Sequence, residues 1–222
     1  LVRAQSGEIT PEMRHIAETE NIEASVIRQE VASGRMVVPA NFDHTLKNPV
    51  GIGSRIRCKV NANLGNSPLQ SDRKDELHKL HVAVASGADT VMDLSTGEHI
   101  KEIRKKLLTE SPIPLGTVPI YEAMSRVEGV DELTGDILLD VIRDHAEQGV
   151  DYITVHCGVV RKIIADAEKR LLGIVSRGGA ILASWMRKKG SENPLFERYD
   201  EILAVAREHD VTLSLGDGLR PG

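Results

Sequence analysis

Cysteine is scarce in this chain. The 222 residues contain two, Cys58 and Cys157, far apart and in no CxxC pair. That excludes a disulfide framework, and these residues alone cannot supply a three- or four-cysteine iron–sulfur site. Free thiols fit a reducing compartment, so the expectation is a cytoplasmic protein. No apolar run reaches the ~18 residues of a membrane span. The opening stretch LVRAQSGEITPEM lacks the apolar core of a signal peptide. Also missing is a basic cluster interleaved with aromatics, since aromatics are 3% of the chain and the net charge is −5. Nucleic acid needs a basic footprint and is not an expected partner. The basic runs in KKLLTE and WMRKKGSEN read as solvated helix ends.

What is present is a strand–helix rhythm. The first fifty residues read as a helical and irregular segment, and residues 51–222 as part of a barrel domain. Thr10 is placed to cap a helix that has Pro11 at its first position, and a second helix over Ala24 to Ala32 stops at Gly34. Beyond residue 51 the pattern predicts strands at 57–63, 89–95, 115–120, 152–157, 173–177 and 212–217. Helices are predicted between them at about 71–86, 97–108, 133–148, 178–189 and 195–208, with Gly87 and Gly149 at helix ends. Such alternation implies a parallel sheet.

Side-chain parity narrows the architecture. Ile153, Val155 and Cys157 oppose Tyr152, Thr154 and His156; Val211, Leu213 and Leu215 oppose Thr212, Ser214 and Gly216. Cys58, Val60 and Ala62 likewise oppose Lys59, Asn61 and Asn63. A doubly wound sheet tends to be apolar on both faces. One apolar and one polar face fits a (β/α)8 TIM-type barrel better, with the site at the strand carboxyl ends. Six units are visible, not eight, and six would leave two open edges.

Taken singly, the strand ends are ambiguous. Asn63 and Asn66 suit Asx turns, Met92 suits core filling, and Tyr121 suits a buried ring opening a helix. His156 reads as well as a structural histidine. SRGG at 176–179 opens a helix, so Ser176 is either a plain N-cap or part of a phosphate cradle with Arg177. Asp217 and Arg220 could simply pair with each other. Lys59 on the polar face would suit a Schiff-base sugar-phosphate enzyme, or merely an ion pair.

Together the stretches are far more specific. VNANLGNS, GADTVMDLSTG, GTVPIYEA, GVDYITVHCGV, GIVSRGG and LSLGDGLRPG occur in that order, each at a strand end. In that combination the chain resembles the phosphomethylpyrimidine synthase family of radical S-adenosylmethionine enzymes, from about Gly7 to Gly222. The resemblance implies conversion of 5-aminoimidazole ribonucleotide to the hydroxymethylpyrimidine phosphate of thiamine biosynthesis. It also implies a [4Fe–4S] cluster, S-adenosylmethionine, a divalent metal such as zinc, and a homodimer. Carried over by motif, ribonucleotide contacts fall on Asn63, Met92, Tyr121, His156, Ser176, Arg177, Gly178, Asp217, Gly218, Leu219 and Arg220. His156 and Tyr121 are the candidates for moving protons. The family's metal and cluster motifs follow GDGLRPG, so its metal ligands are expected beyond Gly222 and none among these residues. A paralogous branch, 5-hydroxybenzimidazole synthase, shares the motifs and the substrate, and a non-catalytic partial barrel is the remaining alternative.

Overall fold

The computed structural model describes residues 1–67 and 73–220. The amino-terminal part holds α1 (Val2–Gln5), α2 (Pro11–Glu20) and α3 (Ala24–Ala32), then a short antiparallel pair, β1 (Met36–Val37) and β2 (Ile52–Gly53). The Thr10 hydroxyl accepts from Met13 N at 3.4 Å and Pro11 takes the first helical position, as the sequence predicts. Ala4, Met13, Ile16, Ile27, Val31 and Met36 form an apolar cluster of their own.

The main body is a five-stranded parallel sheet in the order β3 (Asn61–Leu64), β4 (Thr90–Asp93), β5 (Leu115–Thr117), β6 (Tyr152–Val155) and β7 (Thr212–Leu215). Between the strands run α4 (Arg73–Ala85), α5 (Ile100–Glu110), α6 (Pro119–Ser125), α7 (Gly135–Glu147), α8 (Arg161–Ala167), α9 (Arg177–Lys189), α10 (Pro194–Glu197) and α11 (Tyr199–Glu208). The order follows the chain without crossing, consistent with a partial α/β barrel. The first two residues of the predicted 71–86 helix lie outside the described residues. So does Gly222, which closes the expected 51–222 barrel segment; the described part of that segment ends at Arg220.

Helices cover one face. On α7, Leu138, Leu139, Val141, Ile142 and Ala146 are buried, the three-and-four spacing of an inward stripe. They meet Val91, Leu115, Ile153 and Val155 from the strands in one core. Each buried side chain of this size contributes roughly 1.5–3 kcal/mol. The predicted parity holds on β6, where Ile153, Val155 and the following Cys157 enter the core. Tyr152 lies on the opposite face and reaches sideways across β5. Its hydroxyl donates to Val91 O at 2.8 Å and sits 2.7 Å from Asn61 Oδ1. Gly116 permits this, because a Cβ there would lie 2.1 Å from the ring.

Several predicted elements are corrected. The 173–177 segment is not a strand, and β6 pairs directly with β7 from Tyr152↔Thr212 to Val155↔Leu215. Gly173 turns at φ +59, Ser176 caps α9, and Arg177 is already helical, so too few residues remain for a ladder. The first strand begins at Asn61, not at residue 57. Before it, Arg57 pairs with Asp89, Lys59 pairs with Glu20 at 2.7 Å, and Cys58 is exposed. The third strand ends at Thr117 because Pro119, which has no N–H for a ladder, opens α6. Residues 195–208 form two helices, broken at Arg198.

Candidate functional site

The start of α9 and the loop after β7 close around His156. The residue follows β6 directly and is 5% exposed. Two glycines, Gly178 and Gly216, box its ring, and a third, Gly218, lies at ordinary contact distance from it. A Cβ on Gly178 would lie 2.5 Å from Cε1, one on Gly216 2.8 Å from Cδ2, and one on Gly218 3.4 Å from Cδ2. The loops at α9 and after β7 also close on each other, since a Cβ on Gly179 would lie 2.0 Å from Gly218 O. These glycines are needed for close approach, and a side chain at Gly178 or Gly216 would displace the histidine. His156 Nδ1 is buried without a hydrogen-bond partner among the described residues, as is Thr154 Oγ1 one layer below. Burial holds the imidazole pKa below its ordinary value; the Asp217 charge partly restores it and Arg220 opposes it. The ring therefore carries, between two loops, a buried nitrogen with no partner among the described residues.

Beside it lies the start of α9. The Ser176 hydroxyl accepts from Gly179 N at 3.2 Å, so Ser176 acts as the N-cap. Its O–H and the first-turn N–H groups remain at the positive end of the helix. Arg177 is exposed, makes no ion pair among the described residues, and holds its guanidinium 4.9 Å from the centre of the Tyr121 ring. Tyr121 reaches that place on α6, which begins at Pro119, within the predicted 115–120 strand.

The other predicted residues take up the flanks. Asn63 and Met92 are register partners on β3 and β4. The Asn63 Oδ1 accepts from Asn61 Nδ2 at 2.8 Å. Asn63 also lines a hollow of about 400 Å³ with His78, Lys79 and Val82, along the β3 edge and not over His156. Asp217 and Arg220 pair at 3.0 Å, both exposed, and Arg170 donates to Leu219 O. Lys59 is not with the others: its side chain is buried against Glu20 at the amino end of β3, which removes the Schiff-base reading.

Sequence reasoning missed the residues that hold these groups. Asn193, 0% exposed, donates to His156 O at 2.9 Å and Val159 O at 3.0 Å, and accepts from Leu195 N. Next to Tyr121, the Glu122 carboxylate takes Arg104 at 2.9 Å, His145 at 2.9 Å and Arg126 at 2.6 Å. Burial alone would raise its pKa, but the His145 hydrogen bond and the Arg104 charge hold it well below the usual carboxylate range. Burial and Arg104 push His145 down to about 4. Their only sequence signal was charge at positions that helical spacing assigns to the core.

Comparison with known proteins gives the family. The family model described as the Radical SAM ThiC family matches residues 1–222. The chain belongs to this family. Phosphomethylpyrimidine synthases of Halobacterium salinarum and Haloarcula marismortui are each 51% identical over 100% of this chain, which covers 47% and 46% of their lengths. That of Natronomonas pharaonis is also 51% identical, with 46% covered. The chain thus spans about half the length of the curated relatives it matches.

Membership in a radical SAM family implies a [4Fe–4S] cluster and S-adenosylmethionine. Among the described residues, no group of three or more His, Cys, Asp or Glu could hold a metal ion, and Cys157 is buried with its pKa pushed up to about 11. These residues do not fit a cluster. The placement of the family's metal ligands beyond Gly222 stays an expectation of the resemblance, because that residue lies outside the described ones.

Proposed function

We propose that this chain forms the nucleotide-binding part of a radical S-adenosylmethionine enzyme. Its reaction converts 5-aminoimidazole ribonucleotide to 4-amino-5-hydroxymethyl-2-methylpyrimidine phosphate in thiamine biosynthesis. Relatives named phosphomethylpyrimidine synthase at 51% identity support the reaction. The observation that carries the binding role is the Arg177 guanidinium, without an ion pair among the described residues, at the Ser176-capped start of α9 and beside it the His156 Nδ1, which has no hydrogen-bond partner among them.

In this reading the phosphate lies against Arg177, the Ser176 hydroxyl and the Gly178 N–H, a planar cation and a helix N-terminus that suit its oxygens. Asn63 and Asp217 hydrogen-bond the ribose or the aminoimidazole, with Arg220 holding Asp217 and the backbone of Gly218 and Leu219 closing the loop. Met92 gives apolar contact beside the base. His156, neutral and buried, accepts or returns a proton at Nδ1, and Tyr121 positions the nucleotide. The cluster and S-adenosylmethionine supply the radical chemistry; the residues of this chain bind, orient and exclude water. A homodimer, a zinc-type metal and a cytoplasmic location belong to the same reading and rest on the family alone.

The test is Arg177→Ala in the full-length protein, titrated calorimetrically with the ribonucleotide. A charged phosphate contact predicts a loss of about 2 kcal/mol or more. Unchanged affinity removes the role. Product analysis of the same protein separates the thiamine pyrimidine from 5-hydroxybenzimidazole.

A further inference from the structure

A buried charge network lies directly behind the site, on the helix side of the sheet. We infer that Arg104, Glu122 and His145 are positioning residues for the nucleotide site: they lock α6 so that the Tyr121 ring holds Arg177 in one place. The inference rests on the proposed phosphate contact of Arg177.

Helix α6 has seven residues and no side-chain N-cap hydrogen bond, so its orientation must come from outside itself. Glu122, the residue after Tyr121, supplies the attachment. Its Oε2 meets Arg104 Nη2 on α5 and His145 Nε2 on α7, each at 2.9 Å, and its Oε1 meets Arg126 Nη2 at 2.6 Å. The network continues to the sheet, where His145 Nδ1 lies 2.8 Å from Oγ1 of Thr117, the last residue of β5. Arg104 Nε donates to Gln148 Oε1 at 2.7 Å. One carboxylate thus ties α6 to two helices and a strand end.

Stability alone does not call for such a group. Charges as buried as Arg104 and Glu122, whose side chains are 1% and 6% exposed, are often matched or bettered by apolar residues of equal volume. An apolar contact, however, would let a two-turn helix slide or rotate. Directional hydrogen bonds from two helices, one of them bonded in turn to a strand end, admit one orientation. What that orientation fixes is the adjacent Tyr121, whose ring carries Arg177, without an ion pair among the described residues, at 4.9 Å.

The experiment is a double-mutant cycle in the full-length holoenzyme. Glu122→Gln, Arg177→Gln and the double variant are titrated with 5-aminoimidazole ribonucleotide, with Tm recorded for each. The expected result is a loss of roughly tenfold for each single variant. The double variant should stay near tenfold, far from the ~hundredfold product of independent sites. Losses that multiply, or a Glu122→Gln protein with lowered Tm and Kd within about twofold of the parent, would overturn the inference. If Arg177→Gln itself leaves Kd unchanged, the phosphate reading fails first, and the inference fails with it. Should Glu122→Gln not fold, Arg126→Gln removes the outermost cation from the same carboxylate. A loss of about threefold that disappears in the Arg177→Gln background supports the inference, and no loss overturns it.

Discussion

Adding one methyl group to Gly178 tests the glycine box around His156. The new Cβ would stand 2.5 Å from Cε1, 2.7 Å from Nδ1 and 2.8 Å from Nε2. Carbon atoms in good contact sit at ~3.5–4.0 Å, so the ring must retreat by about 1 Å. It has nowhere to go, because Gly216 already lies against Cδ2 and the residue is 5% exposed. Overpacking of this kind costs roughly 1–3 kcal/mol. Alanine in place of glycine in a helix returns ~0.5–1 kcal/mol, so the net loss of stability is about 1–2 kcal/mol. The displaced imidazole should also weaken ribonucleotide binding, by on the order of tenfold if one hydrogen bond to a ligand is lost. Gly158→Ala is the matched control, since its Cβ would meet nothing within 4 Å. Urea unfolding gives the first number and calorimetric titration of the full-length protein the second. If Gly178→Ala and Gly158→Ala behave alike in both, the boxed histidine is wrong.

Three other outcomes follow from the same contacts. His44 Nδ1 lies 2.7 Å from Asp151 Oδ2; burial works against its charge, but the Asp151 hydrogen bond and carboxylate outweigh this and raise its pKa above 6.5. A raised histidine pKa gives stability that is complete below the unfolded value and is lost as pH rises through the folded one. Tm should therefore fall from pH 6.5 toward alkaline pH, and His44→Asn should flatten that part of the profile; an unchanged slope would exclude the pair as its source. Arg104→Ala leaves the buried Glu122 carboxylate with only His145 and Arg126 against it and should cost about 3–5 kcal/mol by denaturant unfolding, whereas a loss below about 1 kcal/mol would mean that the network is hydrated. Asn193→Ala strips hydrogen bonds from His156 O, Val159 O and the start of α10; a loss of roughly 1–3 kcal/mol is expected, with faster amide exchange at residues 156–159 as the local readout.

The fold was legible where one local rule acted alone. Thr10 before Pro11, Gly87 and Gly149 beyond helix ends, and the alternation through β6 each answer to a single principle, and each is where it was expected. Reading failed where two rules competed for the same residues. GIVSR has the composition of a buried strand, yet Ser176 and Arg177 are claimed by the helix cap and first turn, and Gly173 by a turn. RCKV alternates like a strand, but Arg57 and Lys59 are taken by Asp89 and Glu20. Tertiary ion pairs between distant segments leave no periodic trace, so no window along the chain could show them.

The site divides along the same line. The residues proposed to face the ligand lie next to strand ends or glycines, in the stretches that carry the family resemblance, which is how His156, Arg177 and Asp217 were named from the sequence. The residues that fix them in place lie on covering helices and loops: Asn193 under His156 O, and Arg104 and His145 behind Glu122. Their partners are 18 to 41 residues away along the chain. On a helical wheel Arg104 and His145 fall among core leucines and isoleucines, where a charged or polar side chain violates the stripe. That violation was readable. A group whose desolvation costs several kcal/mol persists in a core only with partners to satisfy it, so polar residues on apolar stripes should be paired with one another before strand-end residues are assigned roles. Applied to this chain, that rule sets Arg104, Glu122 and His145 against each other and leaves Arg177, the cation proposed for the phosphate, without a protein anion among the described residues.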